Sequence, residues 1–391
     1  MKRVCVLLNG SISNDSRVIK EIKTMTKVAL VDLYYIEGEE SDKNIFDDKV
    51  RFFPYERRKG LLVKIIRNTC FYNEFMYYVP IVLMQGVKYD YIWANDLPDL
   101  KPALKLKKKL GSKVIYDSHE IFVETLNQCF PAKAVFYKHI LHKICLSIMK
   151  TLGRIVERKM LTKVDHFVTT CESYKNFFIS KYKSTEISIV MNCPKYNQDV
   201  KPYDLRSAFK IPQDGYILVF QGKLIPARAL KETIDAMIWV KSNVFLIIVG
   251  DGMLQETLEK YVEDKNLVDR VYFTGRVQSS EMVNYAAGAD AGINLQPNVN
   301  LSKYYGSTNK FFEYMHAEIP MIVSDTPENK LIMEKYNMGV FVHDCYNPHE
   351  IADAINKLFE MNFSKFKDNC KEAAMKFNWE NQEKVILDLI K

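Results

Sequence analysis

The feature that most constrains this chain is a repeated local pattern: a short, continuous apolar run, a turn built from Gly, Asn or Asp, then a helix. Val4-Cys5-Val6-Leu7-Leu8 is the first run; it stops at Asn9-Gly10, and a helical pattern covers residues 15–25. A run apolar at every position is covered on both faces, which is the situation of a strand in a parallel sheet flanked by helices. Residues 28–35, 89–94, 113–116 and 165–170 read as further strands, with a helix over 100–110 ending at Gly111 and another following Cys171-Glu172-Ser173. Around 192–214 the pattern breaks, and Pro194, Pro202, Pro212 and Gly215 mark a linker. It then restarts. Strands are expected over 216–220, 244–249, 271–273, 291–295 and 321–324, and helices over 229–240, 253–265, 310–316 and 379–390. The expectation is an α/β chain of two doubly wound parallel-sheet domains, residues 1–200 and 212–377, with strand C-termini opening on a cleft. A length of 391 residues suits two domains.

Charge is unevenly spread. Between Lys133 and Lys163 eight Lys or Arg face one acid, Glu157, a local excess equal to the +7 of the whole chain. Arg57, Arg58, Lys59, Lys64 and Arg67 form a second cluster beside Glu56. Such concentrations point to an anionic partner. In 133–163 Ile140, Ile144, Ile148 and Leu152 fall at i+4 spacing, so the segment reads as a helix. Two readings stand level: a core-facing helix with a solvated basic face, or a surface for anionic lipid, with residues 55–68 of the same character. Nucleic acid is not expected, because no zinc spacing, RNA-binding aromatic motif or basic zipper occurs. Eight scattered cysteines without CxxC read as reduced core residues of a cytoplasmic protein. The opening residues are too short an apolar stretch for a signal peptide. The longest apolar run, 75–87, contains Pro80 and is too short to span a bilayer.

No GxGxxG follows Leu8 and no Walker A loop occurs, which argues against a dehydrogenase and a P-loop enzyme. In the second half, Gly222-Lys223-Leu224 follows the first strand and Arg228 comes five residues after Lys223. Two cations at a strand–turn–helix mouth can clamp a diphosphate, or can simply be solvated. Ser307 and Thr308 are candidate helix caps, and the amides of Thr308, Asn309 and Lys310 would suit a phosphate. Glu313, one turn in, can accept both hydroxyls of a ribose, or stand as a solvated helix acid. His119, at a strand end two residues after Asp117, is a catalytic candidate with a structural role as the alternative.

These segments together resemble the retaining GT-B-fold glycosyltransferases of glycosyltransferase family 4, as found in bacterial surface-polysaccharide synthesis. The resemblance rests on Asn14 to Glu21, Ala94 to Pro98, Tyr116 to Glu120, Gln221 to Leu230, Val249 to Gly252, Phe273 to Gly275 and Asn309 to Met315, in that order. It implies a GT-B fold of two Rossmann-like domains, with residues 378–391 crossing back to close the first. It further implies transfer of a sugar, with retention, from a UDP- or GDP-sugar to a glycan or polyprenyl-diphosphate-linked acceptor, as in capsule or O-antigen synthesis. Lys223 and Arg228 would neutralise the donor diphosphate, Glu313 would hold the ribose, and Thr274, Gly275 and Arg276 would lie beside the base. Gly222 and the residues Ser307, Thr308, Asn309 and Lys310 would line the donor. Gly10 would let its loop approach it, and His119 would face the sugar or leaving phosphate. No cofactor is implied, and no metal. Two departures stand out. Tyr305 occupies the place of a second glutamate eight residues before Glu313, and Ala229 replaces the glycine usual after Arg228. Alternatives of the same fold are a nucleotide-sugar 2-epimerase and a catalytically inert binding partner.

Overall fold

The computed structural model describes residues 1–56, 78–126, 136–183, 186–197 and 199–391, with side chains of 136–142, Asn14 and Glu40 left aside. The chain forms two compact units: residues 1–191 with 300–302 and 382–391, and residues 192–299 with 303–381.

The first unit is built on seven strands: β1 (Lys2–Leu8), β2 (Ala29–Ile36), β3 (Val50–Tyr55), β4 (Tyr91–Asn95), β5 (Lys113–Ser118), β6 (His166–Thr169) and β7 (Ile187–Ile189). All pair in parallel, in the order β3-β2-β1-β4-β5-β6-β7. Val4 to Leu8 are buried, as a strand covered on both faces requires. The order reverses between β1 and β4, so their C-terminal ends part around a crevice, the usual ligand position in such sheets. Asp99 Oδ2 accepts from the Asn9 amide (3.0 Å), and Asn95 Nδ2 donates to Leu7 O (2.9 Å), fixing both loop ends. The helix after β4 begins at Asp96 rather than at 100 and runs to Leu110 with Pro102 inside it. Residues 382–391 complete the unit. Gln382 accepts from the Met191 amide, Glu383 from Thr24 and Lys27, and Tyr91 donates to the Lys391 carbonyl.

The basic segment forms the helix Phe136–Leu161. The described members of its i+4 apolar row face outward: Ile144 is 54% exposed, Ile148 53% and Leu152 43%, and the neighbouring Ile155 is 47% exposed. The core-facing reading of that row therefore fails. Gly153, Glu157 and Leu161 are the buried positions, and Lys150 and Arg154 both pair with Glu124. The second basic cluster, Arg57 to Arg67, lies outside the described residues. Glu157 accepts from Tyr182 (2.6 Å), and burial pushes its carboxyl up to about 7. A carboxyl raised on folding adds stability at low pH and loses it as pH rises through its folded value. Between pH 6 and pH 8 this costs about 1.4 kcal/mol, a loss absent from Glu157→Gln in paired denaturation curves.

The second unit carries β8 (Tyr216–Gln221), β9 (Val244–Val249), β10 (Val271–Gly275), β11 (Ala291–Asn294), β12 (Met321–Ser324) and β13 (Gly339–Val342). These are also parallel, in the order β10-β9-β8-β11-β12-β13. Leu218, Phe220, Leu246, Ile248, Ile293 and Ile322 lie in its core, with helix residues such as Ile234, Leu258 and Ile355 packed over them. The order reverses between β8 and β11, whose ends are Gln221 and Asn294. The helix Asn309–His316 is pinned across that point. Tyr314 Oη lies 3.1 Å from Val219 O on β8 and 3.2 Å from Ile293 O on β11. The approach is close enough that a Cβ on Gly292 would meet the Tyr314 ring at 2.4 Å. Both sheets thus match the expected doubly wound class.

Candidate functional site

At the reversal in the second unit, three elements converge: the end of β8, the end of β11 and the start of the helix Asn309–His316. Gln221 Nε2 donates to Glu313 Oε2 at 2.6 Å, so Glu313 is tied to the sheet rather than solvated. Thr308 occupies the N-cap position, but its side chain does not cap; its hydroxyl lies 3.0 Å from Asn294 Oδ1. The expected hydroxyl cap is therefore not made by Thr308, because the buried Asn294 amide claims it. With no side-chain cap, the first amides stay open to an anion. Asn309 is exposed and accepts from Asn192 Nδ2 (3.0 Å). The loop start is backbone-shaped for close approach. Gly222 has φ +119°, and a Cβ there would stand 3.9 Å from Lys310 Cε.

Buried polar atoms gather at the same place. Ser307 Oγ, Gln221 Oε1 and Lys310 Nζ are buried and have no hydrogen-bond partner among the described residues. Lys310 is 5% exposed, and its Nζ stands 3.7 Å from the centre of the Phe220 ring. Burial pushes its ammonium pKa well below the usual lysine range, and Arg228 adds to the shift. Burial likewise lowers the pKa of the half-buried Arg228. Desolvated groups without partners are costly, and they mark places built for a complementary ligand.

Arg228 sits between two residues in the left-handed region, Ala227 (φ +63°) and Ala229 (φ +49°). The alanine that departs from the family pattern thus adopts the conformation glycine takes without strain. Ala229→Gly is expected to stabilise the protein by about 0.5–1 kcal/mol in chemical denaturation. Lys223 is placed differently from Arg228: it is exposed, and its carbonyl accepts from the Ile225 amide (3.1 Å). Thr274 and Gly275 close the edge strand β10. Gly275 O and Thr274 Oγ1 both accept from the Gly250 amide (3.1 and 3.4 Å), and Arg276 beyond them is exposed. Tyr305 packs edge-on against Tyr304.

In the first unit, His119 follows β5 and belongs to a buried charged cluster. Its amide donates to Asp96 Oδ1 (2.9 Å), its Nδ1 lies 3.7 Å from Asp96 Oδ2, and its Nε2 lies 3.4 Å from Asp117 Oδ2. Burial opposes charging the ring, but Asp96 and Asp117 outweigh it and raise the pKa to about 10. Arg17 anchors the cluster. Its Nη2 donates to both Asp117 oxygens (2.8 and 3.0 Å), its Nη1 donates to Val190 O, and its Nε stands 2.8 Å from Glu21. Burial works against the Asp117 carboxylate too, yet Arg17 and His119 hold its pKa below the usual range. Asp96 itself is in the left-handed region (φ +62°), strain that aims its carboxylate at His119. Glu21, Asp117 and His119 have the spacing of a metal site, but the Arg17 guanidinium already supplies the two carboxylates with a positive charge. Gly10 ends the first loop, and a Cβ there would meet nothing within 4 Å.

The sequence reading singled out His119 but not its partners Arg17, Glu21, Asp96 and Asp117 as a group. It also gave Gln221 and Asn294 no role in the site. The available signal was position: each is a polar residue at a strand terminus, or one turn into the first helix, in an otherwise apolar context.

Residues 204–377 match the family Glycosyl transferases group 1. The lipopolysaccharide core biosynthesis glycosyltransferase LpsD of Rhizobium meliloti is 28% identical over 153 residues, 39% of this chain and 42% of that protein. The match thus spans about two fifths of the curated relative's length. The sucrose-phosphate synthase of Thermosynechococcus elongatus superposes with a TM-score of 0.75 at 16% identity, over 100% of this chain and 98% of that one. Anabaena HepE, solved in complex with UDP-glucose, gives 0.72 at 16% identity, over 99% of each. At such identities the likeness is one of fold, two Rossmann-like parallel-sheet domains of the GT-B type. Residues 204–377, which match the glycosyl transferases group 1 model, thus hold the cluster of Gln221, Arg228, Lys310 and Glu313.

Proposed function

We propose that this chain is a glycosyltransferase that moves a sugar, with retention, from a UDP- or GDP-sugar to a glycan or lipid-linked acceptor of a bacterial surface polysaccharide. The observation that carries the reading is the convergence of Ser307 Oγ, Gln221 Oε1 and Lys310 Nζ, all buried without hydrogen-bond partners, on the uncapped start of the helix Asn309–His316. A diphosphate supplies the acceptors that Lys310 and the open amides lack. The relative LpsD and the UDP-glucose complex of HepE support a nucleotide-sugar donor and a lipopolysaccharide-type product. In this reading Arg228 and Lys310 stabilise the charge that builds as the nucleoside diphosphate leaves. Glu313, oriented by Gln221, takes the ribose hydroxyls. Lys223, being exposed, reaches the phosphates only by extending from the surface. The leaving phosphate takes the acceptor's proton. Side chains supply the positive charge, so the reaction needs no metal.

The place of action in this reading is the cytoplasmic face of a membrane. Among the described residues no helix is long and apolar enough to cross one. The outward row Ile144, Ile148, Leu152 and Ile155 is flanked by exposed Lys143, Arg158 and Lys159, a complement to an anionic lipid surface. A thermal-shift screen of nucleotides tests the donor claim. UDP or GDP should raise the melting temperature by binding the folded state alone, whereas a flat response to both would overturn it.

A further inference from the structure

Lys310 is the one buried lysine of the donor site, and its side chain has a specific setting. The stem lies against Gly222, where a Cβ would stand 3.9 Å from Cε, and Nζ rests 3.7 Å from the centre of the Phe220 ring. No acceptor reaches Nζ. The charged groups that act on it are Arg228 from the loop after β8, Lys303 from the segment before the helix, and Glu313 from its own helix. Two of these three are cations, so the local field disfavours an ammonium, in keeping with its low pKa. A diphosphate reverses that balance, because it adds negative charge beside Glu313 and brings acceptor oxygens to an amine that no acceptor reaches.

We propose that the Lys310 side chain is a proton-coupled diphosphate ligand: it stands as a neutral amine in the free protein and takes up a proton when a nucleoside diphosphate binds. This rests on the donor-site reading above and adds a residue whose side-chain role the family resemblance does not supply. The step balances simply, since one proton passes from solvent to Nζ and no covalent bond is made or broken. The bound state holds more protons than the free state, so affinity falls as pH rises through the window between the free and bound pKa values of Lys310. A proton-coupled site also releases its product more readily as that proton returns to solvent.

Isothermal titration calorimetry of UDP and GDP at pH 8, in HEPES, Tricine and Tris, tests this. The terminal phosphate, with a second pKa of about 6, is then ionised and contributes no proton of its own. The observed enthalpy should rise with buffer ionisation enthalpy, with a slope approaching one proton taken up per nucleotide. Lys310→Arg, with a permanent charge, should bind with a slope near zero. Lys310→Met should bind roughly ten- to a hundred-fold more weakly, also with no uptake. A zero slope in the unaltered protein overturns the proposal while leaving the donor site intact, as does an unchanged slope in Lys310→Arg. Absence of binding by either nucleotide overturns the donor-site reading itself.

Discussion

Arg228→Ala is expected to lower kcat by about 10²–10³-fold, with a smaller change in KM, in an assay of nucleoside diphosphate release. The expectation follows from where the guanidinium sits. It is half-buried, desolvated enough to lower its pKa, and without an ion-pair partner among the described residues. A cation kept in that state exerts its field at low dielectric, where charge developing on a leaving phosphate gains most. The backbone is strained on both sides to hold it there, at Ala227 and Ala229. Glu313→Ala should differ in kind. A carboxylate that binds ribose acts equally on ground and transition states, so its loss should raise KM about ten- to a hundred-fold with kcat nearly kept. Equal activity of both variants and the unaltered protein would remove these residues from the site.

Arg17→Met should be the most destabilising single change at the charged cluster. Arg17 is 3% exposed and satisfies Asp117, Glu21 and the Val190 carbonyl together. Its removal leaves the buried Asp117 carboxylate with His119 as its remaining cation and takes away the cation beside Glu21, the breaking of a buried pair that costs about 3–5 kcal/mol. For a unit of this size that lowers the melting temperature by roughly 10 °C in calorimetry. Adding Asp117→Asn should restore part of the loss, because the orphaned charge is then gone. A shift within 1–2 °C for Arg17→Met would show that water reaches the cluster and screens it.

The legible part of the fold was its centre. β1, β4, β8, β9 and β12 are buried on both faces, and their uninterrupted apolar runs announced them. The strands that went unread, β3, β7 and β13, are all sheet edges. An edge strand buries less of its length, so it carries no continuous run: β3 alternates, includes Pro54 and is buried only at Val50, and β7 has three residues. The basic helix was visible by period, but period does not tell which side faces inward. Its buried positions turned out to be Gly153, Glu157 and Leu161, while Ile144, Ile148 and Ile155 point out.

The candidate site divides the same way. Glu313, Lys310 and Arg228 stood out because charged residues beside a Gly turn or a helix start are recognisable in one dimension. Asp117 did not stand out, because its pairing with Arg17 spans a hundred residues of chain and exists only once β5 lies beside the first helix, and Glu21, one turn on from Arg17, reads as an ordinary helix pair. Lys310 was read for its backbone amide. Only the packing against Phe220 and Gly222 shows that its side chain is buried and without an acceptor.

The central claim is that the second unit binds a nucleotide sugar for transfer. Its most direct test is nucleoside diphosphate release from a panel of UDP- and GDP-sugars, with and without a polyprenyl-diphosphate-linked acceptor, for the unaltered protein and Glu313→Ala. The account predicts acceptor-dependent release from at least one donor, transfer of that sugar with its anomeric configuration kept, and a sharp loss of turnover at low donor concentration in the variant. Release that ignores Glu313→Ala, a C2-epimerised sugar formed without acceptor, or no reaction and no nucleotide binding across the panel would contradict it.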